Sequence, residues 1–389
     1  MSTLTAAAPT DPRAWLRAHA LSWLRALEEL VRSESPSGDR QGLAACARVC
    51  QRLLAAEVGL EGAEVADLDG VPSLHAPAST DAAQRGVLLL GHLDTVWEHG
   101  SYQPPFALLE GRALGPGVFD MKGGVVVALA ALAALRHLGQ WSGPVSVLLT
   151  GDEEVGSASS RALIESEARR HRAVLVLEPP LGQAVKVARK GVGNYRLTVR
   201  GRAAHAGLDP DDGINSVVAL APLVARVAAL GDPARGTSVS PTVIAGGART
   251  NVIPDVAWLD VDCRFTAEAE ARRVEAGLRA LVPAVEGATL ELAGGDNRPP
   301  LEEAASGALF ALAQTVWSTL DANPLEGASV GGGSDGSFTA ALGVPTLDGL
   351  GIVGGHAHAA GEWAQPDSIP DRAALLAGLL QAIWAGGLG

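Results

Sequence analysis

Cysteine is scarce. Only three occur in the 389 residues, without zinc-site spacing, a second pair or nearby histidines. That excludes a disulfide scaffold, and it leaves Cys46 and Cys50, four apart on one helical face, as small buried hydrophobes. Basic residues are outnumbered, 30 against 43 acidic, and the formal charge of −13 repels phosphate backbones and anionic membranes. No cluster of Lys and Arg overrides that field, so neither nucleic acid nor a membrane surface is an expected partner. Long apolar runs are missing too. Val125 to Leu135 is about half of the roughly 20 residues a bilayer span requires, and it reads as a buried helix. Met1 to Arg13 lacks a basic segment followed by an apolar one, so a cytoplasmic location is expected. The sequence holds no internal repeat and no low-complexity tract beyond an excess of Ala. What is there is 47% hydrophobic, enough for a sizeable core and two or three domains.

Apolar residues recur at helical spacing from Ala14 to Val31, and Ser33 to Gly38 breaks that pattern. Val87 to Leu90, Val145 to Leu149 and Ala173 to Leu177 are short continuous apolar runs, as expected of strands buried on both faces. Helical stretches at Met121 to Leu138 and Ser157 to Arg170 separate them, which favours a mostly parallel sheet with helices on both faces. After Lys190 the texture changes. A strand over 192 to 200, a helix over Ile214 to Leu230, strands at Ser238 to Ala245 and Val256 to Phe265, a helix at Ala267 to Leu281 and a strand at Thr289 to Ala293 follow. That order is the β-α-β-β-α-β of a ferredoxin-like unit. Past Pro299 and Pro300 the first texture returns, with a helix at Glu302 to Leu320, a strand near Val344 to Leu347 and a helix at Asp371 to Trp384. The expectation is an α/β domain over 1–190 and 300–389, interrupted by a smaller α+β insert over 191–299.

Chemistry-bearing residues follow each buried strand. The first runs into His92 and Asp94, the second into Asp152, Glu153 and Glu154, and the third into Glu178; Asp120 precedes the helix that begins near Met121. Ligands collect beyond the carboxyl ends of parallel strands. Carboxylates packed there repel one another unless a cation compensates. If Asp120, Glu154 and Glu178 are ligands with His92 and one histidine from the C-terminal part, three carboxylates and a hydroxide balance two divalent ions. Five ligands serve two ions at three each only if one bridges, and Asp120, short and at a turn, suits that role. Asp94, two residues from His92 on extended backbone, can take the second imidazole proton. Glu153 and Glu154 should point in opposite directions, so one should bind metal and the other move protons. Taken singly, each of these short motifs is an ordinary cap or turn. Their joint position at three consecutive strand ends is what carries the reading.

The text around these residues, Gly91-His92-Leu93-Asp94-Thr95-Val96, Gly115-Pro116-Gly117-Val118-Phe119-Asp120-Met121-Lys122-Gly123-Gly124, Thr150-Gly151-Asp152-Glu153-Glu154-Val155-Gly156 and Leu177-Glu178-Pro179, resembles the M20 family of co-catalytic zinc peptidases and amidohydrolases. The likeness extends to Gly201 to Gly207, Thr250 to Pro254 and Gly332 to Gly336, and it is strongest to the glutamate carboxypeptidase (carboxypeptidase G2-like) branch. It implies a zinc-exopeptidase-like fold in which His92, Asp120 and Glu178 bind one zinc, and Asp120, Glu154 and a late histidine bind the other. Glu153 would be the general base. The insert would be a lid and dimerisation domain of a homodimer, with His205 reaching the partner subunit's active site and with Asn251 and Arg264 on the substrate carboxylate. The late ligand would be His358, four residues before Glu362, with His356 its neighbour. An O/N donor set of this kind also suits Co or Mn. The implied reaction is hydrolysis of an amide beside a free carboxylate, such as a C-terminal glutamate on a peptide or N-acyl amino acid; deacylation of N-acyl amino acids is the alternative.

Two other readings compete. Gly332-x-Ser334-x-Gly336 fits a nucleophile elbow, with Asp348 and His356 following in order. Against it, Gly331 to Gly333 is a poor strand, and the 14 residues from Ser334 to Asp348 cannot hold the intervening elements. A scaffold without turnover would lack the base or a ligand, and every expected group is present. The Gly-x-Gly-x-x-Gly runs from Gly331 and Gly349 open no βαβ unit and read as turns. Arg264 could equally form a strand-face ion pair with Asp260 or Asp262.

Overall fold

Three of the buried apolar runs become the centre of one sheet. In the computed structural model, which describes residues 11–78 and 85–388, its strands in chain order are Glu64–Leu68 (β1), Val71–Ala76 (β2), Val87–His92 (β3), Val145–Thr150 (β4) and Ala173–Val176 (β5), closed by Thr346–Leu347. The spatial order is β1-β2-β4-β3-β5 and then the closing strand. β4, β3, β5 and the closing strand run parallel, while β2 lies antiparallel against β4 and pairs with β1 as an edge hairpin. Alternate residues enter two different cores, because successive side chains on a strand face opposite ways. Val87, Leu89, Val147, Leu149 and Leu175 pack with the helices Gly123–His137 and Ile369–Trp384. Leu88, Leu90, Leu148, Val174 and Val176 pack with Ile164, Ala168 and Phe338 on the other face.

The helix over Gly123–His137 is buried from Gly123 to Leu135. With the turn before it, Val118–His137 is apolar enough to cross a bilayer (mean hydropathy 1.9), yet its apolar window is 94% buried inside the protein, which makes it a core helix. Three local expectations are corrected. The first helical stretch is two helices, Pro12–Ala18 and Ala20–Arg32, broken at His19, whose backbone leaves helical geometry at φ −108° and ψ 16° and whose ring Nδ1 lies 2.8 Å from the Trp15 carbonyl. The helix expected from Met121 starts at Gly123, because Asp120 and Met121 are non-helical. The helix expected from Ser157 starts at Arg161. The helical face read for Cys46 and Cys50 belongs to a helix over Arg40–Leu53, whereas the β1-β2 hairpin was not anticipated, since β1 is exposed or half-buried throughout and Pro72, Ser73 and His75 interrupt β2. Cys46 and Cys50 are buried and unpaired, as read from the sequence.

The chain divides into two units: one extends to Ala188 and resumes over Glu303–Ser329 and from Ser334, and the other is Arg189–Glu302 with Val330–Gly333. Lys190 N donates to the Val330 carbonyl at 3.0 Å, and the Arg189 guanidinium donates to the carbonyls of Gly332 and Gly333 at 3.2 and 2.9 Å. The second unit holds Gly191–Arg200 (β6), Ser238–Gly246 (β7), Val256–Phe265 (β8) and Thr289–Arg298 (β9), antiparallel in the order β7-β8-β6-β9. On β8 strict alternation buries Ala257, Leu259, Val261, Cys263 and Phe265 against the helices Ser216–Ala228 and Glu268–Arg279. This is the ferredoxin-like order the sequence implies.

Gly124 sets how closely the core helix approaches the strand that carries Glu178. A β-carbon there would lie 1.9 Å from the Leu177 carbonyl oxygen, and backbone cannot yield as a flexible side chain can. Helix propensity alone favours alanine by about 1 kcal/mol, so the two effects oppose. Gly124→Ala is expected to destabilise the protein by about 1–3 kcal/mol in denaturant unfolding, because overpacking wins; a gain in stability would refute this close approach.

Candidate metal centre

β4, β3 and β5 are adjacent, and His92, the last residue of β3, lies opposite Thr150, the last of β4. Whatever follows these strands is therefore gathered at one edge of the sheet. His92 is buried, with Nδ1 3.0 Å from the Asp94 carbonyl and 3.4 Å from Asp94 Oδ1. With its proton on Nδ1, the ring turns Nε2 toward Asp120 Oδ1 at 3.3 Å and Glu178 Oε1 at 3.5 Å. The second imidazole arrives from the hairpin formed by Gly354–Gly355 and Trp363–Ala364. His358 Nε2 lies 3.0 Å from Glu154 Oε2 and 3.3 Å from Asp120 Oδ2. Asp120 thus presents one oxygen to each imidazole, as a bridging ligand would. His356 and His358 both adopt φ near +60°, a conformation uncommon for residues other than glycine. His356 is exposed and shares no contact with these carboxylates.

Asp94 does more than receive the imidazole proton. Its carboxylate is fully buried and accepts the main-chain N–H of Glu153 and of Glu154, each at 3.1 Å, and the Ser37 hydroxyl at 2.8 Å. Those bonds fold Glu153–Val155 into a single 3-10 turn, so the expectation that the two glutamates diverge on extended backbone is corrected. They diverge nonetheless. Donor atoms of Glu154 gather with His92 and Asp120, whereas those of Glu153 gather with His92 and Glu178, each group within 4.8 Å. Lys186 Nζ stands 3.9 Å from Glu178 Oε2.

The electrostatics describe protons standing where a cation would. Burial alone would lower the His92 ring, but Asp120, Asp94 and Glu178 outweigh it and hold the imidazolium well above its ordinary value. Asp120 and Glu154 push His358 up to about 10. Burial would raise Asp120, yet the two imidazoles outweigh it and hold its carboxyl below the usual carboxylate range; burial raises Glu154. The donor set fits a divalent metal. At metal–ligand distances of about 2.0–2.1 Å, tetrahedral ligands are separated by about 3.4 Å, and the imidazole and carboxylate atoms face one another at 3.0–3.5 Å.

The remaining expected residues lie in the second unit. His205, exposed in a short ladder of Ala204–His205 with Val252–Ile253, accepts the N–H of Gly207 and of Leu208 on Nδ1, both at 3.1 Å. That places its proton on Nε2. Asn251 is its neighbour, bonded through its carbonyl to Ala206 N at 3.0 Å. Arg264, on β8, is held by both oxygens of Asp262 at 2.9 and 2.8 Å, the ion pair foreseen as its bland alternative.

Ser334 donates directly to Asp348 at 2.6 Å, both buried, with no imidazole between them, so the serine-hydrolase arrangement is not formed. Sequence reasoning missed Asp335, which accepts Thr150 Oγ1 at 3.1 Å and Ser157 Oγ, closing both ends of the loop that carries Glu153 and Glu154. It also missed Arg372, fully buried, whose guanidinium donates to the carbonyls of Gly351 and Gln183 at 2.9 and 3.2 Å and to that of Gly349, so the second glycine run is a held turn. Only the Gly-rich text around Asp335 signalled either residue.

Residues 88–382 match the family described as Peptidase family M20/M25/M40. Carboxypeptidase G2 of Pseudomonas sp. (strain RS-16) is 29% identical over 93% of this chain and 89% of its own length. A succinyl-diaminopimelate desuccinylase of Wolinella succinogenes is 31% identical over 70% of this chain and 78% of its own length. The crystal structure of aminopeptidase PepT from Bacillus cereus superimposes with a TM-score of 0.74 at 20% identity, covering 94% of this chain and 98% of that one. A family match across three quarters of the sequence, reaching from the first central strand into the last helix, settles the membership: the chain belongs to peptidase family M20/M25/M40 and is an enzyme of the metallo-carboxypeptidase or amidohydrolase kind.

Proposed function

We propose that the protein is a two-ion hydrolase that cleaves an amide next to a free carboxylate, releasing a C-terminal glutamate or similar residue from a peptide or N-acyl amino acid. The observation that carries this is Asp120 lying between two imidazole nitrogens, with Glu178 on one side and Glu154 on the other. His92, Asp120 and Glu178 would hold one ion, and Asp120, Glu154 and His358 the other, with zinc the best match and Co or Mn compatible. Bound ions supply an activated water and polarise the scissile carbonyl. Glu153, beside the His92 end of the centre, takes the proton released at the attacking oxygen and returns it to the leaving amine. Asp94 keeps the Glu153–Glu154 turn fixed through that exchange. The desuccinylase relatives favour a second reading of the same chemistry, deacylation of an N-acyl amino acid.

Asn251 and Arg264 are proposed to hold the substrate carboxylate, with Arg264 exchanging one oxygen of Asp262 for the ligand. The insert is proposed as a homodimer contact, because β7 is an edge strand exposing Val243 and Ile244, and Val217 and Val218 on the adjoining helix are exposed beside it. In that dimer His205 would serve the partner subunit's centre, its Nε2–H stabilising the tetrahedral oxyanion. The free, buried cysteines suit a reducing, cytoplasmic setting.

Metal analysis beside turnover tests the centre. Glu153→Gln should keep two ions per chain while turnover falls by ~10²–10⁴; His358→Ala should empty one position and His356→Ala neither. Metal loss in Glu153→Gln as deep as its activity loss would make Glu153 a ligand.

Carboxylate recognition is tested by substrate pairs. Arg264→Ala should impair N-acyl amino acids far more than the matching amides or esters, whereas equal losses on both would leave only the Asp262 ion pair.

Sharing of the site between subunits predicts complementation. Refolding His205→Ala together with Glu153→Ala makes half of the dimers mixed, each with one intact composite site, so roughly a quarter of wild-type activity should return. No recovery, with subunit exchange verified by mass, would end the trans assignment.

A further inference from the structure

Glu362, in the first unit, is a carboxylate buried among hydrogen-bond donors. Its side chain is fully buried, and its two oxygens receive four N–H donors: Trp97 Nε1 at 2.6 Å and Gly117 N at 3.1 Å on Oε2, Phe119 N at 2.8 Å and Asp120 N at 3.0 Å on Oε1. Three of the four come from consecutive turns of one loop, Gly117 to Asp120, which begins with Gly117 in the left-handed region at φ 69°. Successive main-chain N–H groups arranged in this way form a cradle for an anion. The loop exists to be held, and on its far side it presents the Asp120 carboxylate to both imidazoles.

The same carboxylate sits at the base of the hairpin that carries His358. Ala359 N donates to the His356 carbonyl at 3.0 Å, Glu362 N donates to the Ala359 carbonyl at 3.1 Å, and Glu362 N also donates to the Tyr102 hydroxyl at 3.1 Å. Trp97 and Tyr102 themselves meet edge to face at 5.1 Å. Glu362 therefore ties one end of the loop that delivers the shared aspartate to the hairpin that delivers the second imidazole. We propose that Glu362 is a positioning residue that sets the separation of Asp120 and His358, and so fixes the geometry of both ion positions at once. This rests on the two-ion reading above.

The chemistry of the position is selective. Four donors converge on it, so only an acceptor fits: an ionised carboxylate offers no hydrogen to clash with them, whereas the isosteric amide turns an NH₂ against two of them. Outer partners of metal ligands are worth about 10- to 100-fold in metal affinity. Glu362→Gln should therefore weaken binding of zinc and of cobalt(II) by 10- to 100-fold in chelator competition. It should also change the visible absorption of the cobalt-loaded protein, which reports ligand geometry. Glu362→Asp, which keeps the acceptor character on a shorter stem, should recover part of both. A purely structural role would lower the melting temperature of the metal-free protein and leave affinity and spectrum as in the wild type, and that result overturns the proposal. If Glu362→Gln does not fold, Trp97→Phe decides. Removing one donor should shift affinity and spectrum in the same direction by less, and no shift overturns the proposal. Wild-type protein that binds fewer than two ions would overturn the two-ion reading itself, a failure distinguishable from wild-type loading with unaltered Glu362 variants.

Discussion

Mutual repulsion among carboxylates gathered at the ends of three parallel strands is the constraint around which the first unit is arranged. Oxygens of Asp120, Glu154 and Glu178 lie 3.0–3.5 Å from the imidazole nitrogens of His92 and His358, and they raise the proton affinity of both rings. Burial makes this sharper, because the low local dielectric penalises an uncompensated charge most. A parallel sheet is a fitting device for such a concentration. Its strand ends are held in register by main-chain bonds that owe nothing to the charged residues, so the core can bear the cost of assembling them. The Val87–Leu90, Val145–Leu149 and Ala173–Val176 runs, buried on both faces, are what keep these ends from spreading apart.

Much of this was legible in the sequence, for a physical reason. Strands buried on both faces must be apolar throughout, so they announce themselves, and the polar residues immediately after them must lie at the sheet edge. β8 matched its expected bounds because one face packs on helices and the other does not, which writes a period of two into Val256–Phe265. The β1-β2 hairpin was invisible because β1 is an exposed edge and β2, though largely buried, is interrupted by Pro72, Ser73 and His75 and so carries no continuous apolar run. The break at His19 is a single residue's departure from helical backbone geometry, which apolar spacing does not record.

The site divides along the same line. His92, Asp120, Glu154 and Glu178, which the structure brings together, sit beside strand ends or a helix start in sequence, and local reading named them. The residues that hold these candidate ligands act across long separations: Asp335 closes the Thr150–Ser157 loop from far along the chain, and Asp94, just after β3, accepts the N–H groups of the Glu153–Glu154 turn. No local pattern encodes a partner that distant. The turn itself shows the difference. Its expected extended backbone was wrong, while the two glutamates still diverge, because adjacent side chains in a 3-10 turn leave the backbone about 120° apart.

The Arg264–Asp262 ion pair bears on the carboxylate-binding role proposed for Arg264. A bidentate pair with Asp262, both about one-third exposed, contributes little to stability, since exposed ion pairs are worth roughly 0–1 kcal/mol. The pair does, however, hold the guanidinium in a single planar orientation on the polar face of β8. A fork already oriented loses less side-chain freedom on meeting a carboxylate than a loose one would. Weak pairing with strong orientation is therefore what a carboxylate-recognising arginine needs before its substrate arrives. A tighter, desolvated pair at the same place would make the exchange of Asp262 for a ligand too costly, so the partial exposure of this ion pair is compatible with the carboxylate-binding role proposed for Arg264.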